Sequence, residues 1–424
     1  MLSAMPETLI APNPWMMLPF GILLGLIALA PLWFADWWTR HYPKVACALG
    51  AVTLGYYLLD LYAYTRVLAG AHEYLSFISL IGALFVVSGG IHISVKGEAT
   101  PLVNVAFLLV GAVLANLLGT TGASMLLIRP WIRMNKYRVT AHHIVFFIFI
   151  VSNVGGCLTP IGDPPLFLGF LKGIPFWWVA EHCWPMWATG LGILLAMFFV
   201  VDSFNFRRAP KPIREKETER EQWRFDGLGN IFFLAVILGA VFIKQPIFLR
   251  EVLMVAAAVG SYYTTRKPVH VANHFNFHPI QEVAILFLGI FATMMPALDW
   301  LQIHAAKLGN PTPAFFFWGS GVLSSVLDNA PTYLSFLSAL MGAAQDKDMQ
   351  HLLATQSTHL VAISVGAVFF GANTYIGNGP NFMVKAIADQ QKVRTPTFLG
   401  YILRFTLPFM VTMLLVVWWL FFRG

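Results

Sequence analysis

Apolar residues fall in long blocks along this chain, not in the short periods of half-buried soluble helices or strands. Blocks near or above the roughly 20 residues that cross a hydrocarbon core lie at 16–34, 45–64, 74–95, 143–171, 176–201, 227–243, 252–263, 282–301, 359–386 and 397–422. The block 252–263 is short for a span and is kept because its neighbours need it for topology. Two more, 101–128 and 314–343, are interrupted near their middles by small and polar residues and read as re-entrant hairpins. The pattern predicts an all-α polytopic membrane protein.

Composition strengthens this. The chain is 58% hydrophobic and 11% charged, against about 25% charged in soluble domains, so it cannot clothe itself for water. The net charge of +7 does not indicate nucleic acid, because Lys and Arg sit in short breaks between spans. The hydrophilic stretch 207–226 divides the chain into halves of similar length and reads as a cytoplasmic linker. Nineteen Lys and Arg then share the linker's side and seven face the other, with Arg404 inside the last span; this follows the positive-inside rule and places both termini outside an inner (cell) membrane. No Lys or Arg precedes the first block, which is long enough to span, so it reads as a retained helix rather than a cleaved leader. Cys47, Cys157 and Cys183 are scattered without metal-ligand spacing.

The halves resemble each other beyond hydropathy. Residues 159–167 read T-P-I-G-D-P-P-L-F and 374–382 read T-Y-I-G-N-G-P-N-F, five identities in nine, carried by Gly and Pro as much as by apolar residues. The topology gives the halves opposite orientations, hence an inverted repeat. The expected boundaries are 1–206, with hairpin 101–128 and broken helix 143–171, and 227–424, with hairpin 314–343 and broken helix 359–386. Gly and Pro clusters at mid-span require unwound backbone, which hydrocarbon tolerates only where it lines a protein cavity.

Chemistry is expected at those breaks. Asp163 lies in the first and Asp328 at the second hairpin's tip, and a carboxylate at such depth is costly enough to imply function. Around them stand Thr120, Thr121, Asn153, Thr159 and Gly162 in the first half, and Asn329, Thr332, Asn373, Thr374, Asn378 and Asn381 in the second. Carboxylate, amide, hydroxyl and carbonyl oxygens suit hard cations, so sodium is expected at the Asp163 and Asp328 sites, with no other cofactor. Asp299 falls toward the outer end of its span, and His142 and His143 read as an exposed helix start with a pH-sensing role as the alternative.

At G-G-C-L-T-P-I-G-D-P-P, G-A-N-T-Y-I-G-N-G-P-N and the two hairpins, the chain resembles the ion transporter superfamily of divalent anion–sodium symporters, arsenite permeases and NhaD-type sodium–proton antiporters. The resemblance follows nearly the whole chain in order and topology. Symporter members carry Ser-Asn-Thr at each hairpin tip; here the places read Gly119-Thr120-Thr121 and Asp328-Asn329-Ala330, and Asp-Asn before Pro looks more like the antiporter branch. The resemblance implies a homodimer, a fixed scaffold and an elevator-like moving domain. It also implies that each hairpin pairs with the broken helix of its own half, so that Thr120 and Thr121 face Thr159 and Asp163 while Asp328 and Asn329 face Asn373, Thr374 and Asn378.

The preferred reading is a sodium–proton antiporter, in which sodium and proton compete for one buried carboxylate. Sodium-coupled symport of citrate, a dicarboxylate or another small anion is the alternative; its difficulty is that Asp163 and Asp328 repel an anion and no Arg or Lys lies at mid-span. Intramembrane aspartyl proteolysis, suggested by two membrane Asp residues, I-G-D at 161–163 and P-A-L at 296–298, lacks the required Gly, where this chain has Pro160, and leaves the repeat unexplained. The chain is read as a transporter with lipid, sodium and protons as partners, and a small carboxylate on the symport alternative, not as an enzyme.

Overall fold

The computed structural model describes residues 11–94, 99–208, 224–243 and 245–423; most of the linker lies outside these. The described chain is helical apart from one short antiparallel pairing of His92–Ser94 with Arg224–Asp226, in which His92 faces Asp226. Among the described residues six helical segments are long and apolar enough to cross a membrane, one of which, Pro101–Met134, turns back on itself, and a further span arises if Met349–Thr355 and Ser357–Asn373, bent by 96°, are joined. The all-α polytopic fold class expected from the sequence holds. The broken spans contribute short helical pieces, and blocks 227–243 and 252–263 form the short helices Asn230–Ala240 and Leu249–Thr264.

Two sets of helices can be told apart by their packing. Leu18–Trp33, Ala35–Gly55, Tyr64–Gly89, Asn230–Ala240, Leu249–Thr264 and His278–His304 form one. Ala35–Gly55 and His278–His304 meet at small residues: a Cβ on Gly289 would lie 2.9 Å from that of Ala46, and one on Gly50 3.3 Å from that of Ala292. Lipid tails are as apolar as Leu, so such close backbone approach is what holds membrane helices together. The second set comprises the hairpins, the broken spans, Phe176–Arg208 and Phe398–Phe421. Two helices of the first set also reach the second: Tyr64–Gly89 packs on the first hairpin, and His278–His304 on Asn329–Ala344, where a Cβ on Gly342 would lie 2.6 Å from Leu301 O.

Both interrupted blocks are hairpins. In Pro101–Met134 the backbone leaves helical geometry at Gly119, whose φ of 73° favours glycine. Asn104 Nδ2 donates to Asn135 Oδ1 at 2.9 Å and Asn135 Nδ2 returns to Asn104 Oδ1 at 3.2 Å; on a straight helix these residues would stand about 47 Å apart. The second hairpin runs Pro313–Ser324, turns, and returns as Asn329–Ala344, with Phe336 packed beside Phe316 and Gly319. Its return helix is capped by Asp328, whose Oδ1 accepts from Ala330 N at 3.0 Å.

Two spans differ from expectation. Blocks at 45–64 and 74–95 become helices Ala35–Gly55, continued by Tyr56–Asp60, and Tyr64–Gly89, each of which starts ten residues before its block. Hydropathy excluded Arg66 and Glu73 as charged, but in the fold they are paired: Arg66 Nε donates to Asp299 Oδ1 at 3.0 Å, and Glu73 accepts from Lys172 Nζ at 2.6 Å. Asp299 is 7% exposed and also accepts from Tyr57 at 2.7 Å, so it is a buried ion-pair partner rather than a residue facing headgroups.

Candidate functional site

The first broken span runs as Ala141–Ile150, a short turn at Val154–Gly156, and Pro164–Leu171; the second as Ser357–Phe370, Gly371–Asn373 and Gly379–Gln390. His142 through Ile150 are all buried, which explains why this segment shows no polar face. Each break folds back on itself at a pair of glycines six residues apart. A Cβ on Gly162 would come within 2.1 Å of Gly156 O, and one on Gly377 within 2.6 Å of Gly371 O. In each, a threonine completes the turn. Thr159 Oγ1 donates to Asn116 O at 2.6 Å and accepts from Gly162 N at 3.0 Å. Thr374 Oγ1 donates to Ser325 O at 2.5 Å and accepts from Gly377 N at 3.2 Å.

Unwound backbone needs partners, and polar side chains supply them. Asn116 Nδ2 donates to Gly155 O at 2.7 Å, and its Oδ1 accepts from Leu158 N at 2.9 Å. Trp187 Nε1 also donates to Gly155 O. In the second break Asn381 Nδ2 donates to Gly371 O at 2.8 Å and Thr374 O at 2.9 Å, Tyr401 to Ala372 O at 2.8 Å, and Thr406 to Asn373 O at 2.7 Å.

The breaks meet at Asp163, which is 1% exposed and precedes Pro164–Leu171. Thr120 Oγ1 donates to its Oδ1 at 2.6 Å, Asn378 Nδ2 to the same oxygen at 3.0 Å, and Asn329 Nδ2 to Oδ2 at 2.5 Å. Thr120 N is tied to Gly162 O at 2.7 Å. Each side-chain bond to an ionised group is worth roughly 1.5–3 kcal/mol, so the three together are of the order of the several kcal/mol that desolvating a carboxylate costs. All three donors are uncharged. Asn378 also approaches Asn153 Oδ1 at 3.2 Å, and Asn153 Nδ2 donates to Asn381 Oδ1 at 2.7 Å, extending the cluster across the halves.

The hairpins do bond to the breaks of their own halves, Asn116 to Thr159 and Ser325 to Thr374, and Thr120 does face Asp163. The expectation fails for Asn329 and Asn378, which face Asp163 across the halves because both hairpin tips converge on one seam. Asp328, half-buried, caps its helix, and Thr332 Oγ1 donates to Asp328 O at 2.9 Å. Asn373 donates to Ser325 Oγ at 2.8 Å. Thr121 lines a narrow cleft between the hairpin tip and Tyr64–Gly89. Two buried amide oxygens, Asn329 Oδ1 and Asn373 Oδ1, have no hydrogen-bond partner and are suited to ligating a cation. Sequence reasoning missed Asn116 and Ser325. Their signal was position: each lies four residues, one helical turn, before a hairpin-tip residue, Thr120 and Asn329 respectively.

It also missed a buried charge node. His142 and His143 are 8% and 0% exposed, not at the surface. Asp202 Oδ1 accepts from Arg138 Nη1 and lies 3.2 Å from His142 Nε2 and 3.1 Å from His143 Nε2, while Oδ2 accepts from Arg138 Nη2 and Asn104 Nδ2, each at 2.9 Å. The three side chains have metal-ligand spacing, but the guanidinium already stands against Asp202 and 3.4 Å from His143 Nε2, so Arg138 supplies the cation. The node binds the base of the first hairpin to Phe176–Arg208.

Among curated proteins no match to the chain is found. A family described as "Putative citrate transport" matches residues 10–422. The match extends through both hairpins, both breaks and the seam at Asp163, in keeping with the ion-transporter resemblance read from the motifs. The chain belongs to this citrate-transport family, whose members are read as secondary transporters of the membrane.

Proposed function

We propose that the protein is a secondary active transporter that carries citrate or a related small carboxylate by alternating access, coupled to protons or sodium at the Asp163 seam. The observation carrying this reading is a buried carboxylate held by neutral donors from both halves. Three neutral donors hold Asp163 as a carboxylate without a counter-charge, so a proton or a cation is what would neutralise it, and the bare oxygens of Asn329 and Asn373 are ligands of the kind sodium takes. Loading these positions offsets the negative charge that would otherwise repel a carboxylate cargo. The two repeats, 1–206 and 227–424, would move their hairpins and breaks as one elevator-like body within a homodimer, with the linker cytoplasmic and both termini outside. The family match favours this order of preference over sodium–proton exchange and over proteolysis.

Sodium–proton exchange stays as a second reading on one observation: the hydrogen-bond donors to Asp163 include no Arg or Lys to attract an anion. Proteoliposomes holding a pH dye, given sodium, lithium, potassium and citrate in turn, separate the two. Proton or sodium movement that requires citrate supports symport; cation-driven proton movement without citrate supports exchange; neither response rejects both.

A further inference from the structure

Pro164–Leu171 is a single eight-residue helix, about 12 Å long, with Asp163 at its start and Lys172 at its end. Lys172 Nζ donates to Glu73 Oε1 at 2.6 Å, with the side chains 26% and 17% exposed. Glu73 belongs to Tyr64–Gly89, which packs on Leu249–Thr264 and His278–His304 in the other set of helices. The bond therefore crosses the surface on which the two sets face each other. Along the cleft that surface is apolar: Leu80, Leu84 and Phe85 line one wall, and Leu118, Ile161 and Phe167 the other. Apolar walls slide without breaking directional bonds, whereas a partly buried ion pair resists separation.

We propose that Glu73–Lys172 is a latch that holds the two sets of helices in the arrangement seen here and opens at each change of state. This rests on the alternating-access reading. Because one short helix joins Asp163 to Lys172, displacement of the seam is transmitted to the latch without intervening loops.

The latch is tested by labelling rather than by transport. Ile81 lines the cleft, and Cys47 is the exposed cysteine while Cys157 and Cys183 are buried; an Ile81→Cys reporter in a Cys47→Ser chain is therefore readable with an impermeant maleimide in proteoliposomes. Glu73→Gln and Lys172→Gln should each lower the labelling rate roughly fivefold or more, and the double variant by no more than either alone. Lys172→Arg, which keeps the charge, should label like the parent, and the exchange Glu73→Lys with Lys172→Glu should return toward it. Parental rates in both Gln variants, or effects that multiply in the double variant, overturn the latch. Labelling needs no substrate, so that outcome leaves the transport reading standing, while absence of citrate- and cation-dependent flux in the parent chain strikes the transport reading instead.

Discussion

The two hairpin-and-break units use the same frame and differ in what is hung on it. Each closes its break with a Gly–Gly approach and a threonine hydroxyl bonded to the neighbouring hairpin. The first turns at Gly119 and carries Asp163; the second turns at a capping Asp328 and places Asn378 where the first has Asp163. At their outer ends the contrast is sharper. The first hairpin's base is bound by the buried Asn104–Asn135 pair and the Arg138–Asp202 node, while beyond the second hairpin the contact is an exposed His351–Asp346 pair. Backbone frame and chemistry can thus diverge separately, because the frame depends on small residues and hydroxyls and the chemistry on one or two side chains at the seam.

The largest effect should come from the side chain on which the halves differ most. Asp163→Asn should lower proton- or sodium-coupled transport by roughly 100-fold or more, measured as initial flux in proteoliposomes. Adding Asn378→Asp, which moves the carboxylate to the other half, should restore part of it; wild-type coupled flux in the single variant would remove Asp163 from the mechanism. Next is the node: Asp202→Asn leaves Arg138 buried without its charge partner and should cost about 3–5 kcal/mol, read as a fall in thermal stability in detergent. Gly162→Ala and Gly377→Ala should each destabilise by roughly 1–3 kcal/mol, the first more than the second because its Cβ would meet Gly156 O at 2.1 Å rather than Gly371 O at 2.6 Å; equal thermal stability of the two would argue that one break relaxes. Asp346→Asn, at an exposed pair, should leave the melting temperature unchanged within error.

The breaks and hairpins were legible because Gly, Pro and polar residues interrupt apolar blocks, a pattern with few other causes in a membrane. Asp163, Thr120, Asn378 and Asn329 were legible as residue types out of place in lipid. Their meeting was not: Asn329 lies 166 residues from Asp163, and a repeat suggests pairing within a half while packing joins the halves. The limits of Tyr64–Gly89 were misplaced because hydropathy scores Arg66 and Glu73 as exposed charges, whereas each has a partner supplied from elsewhere in the chain. His142 and His143 were assigned to the surface for the same reason, since Asp202 lies 60 residues from His142.

The contact between Asn378 Nδ2 and Asp163 Oδ1, at 3.0 Å, also bears on ancestry. A chain made by joining two identical copies would place the same residue at both positions. Two carboxylates that close would repel unless they shared a proton, and two amides would carry no charge to couple to an ion. The pairing of a carboxylate at 163 with an amide at 378 avoids both: the seam holds one charge and one donor facing it.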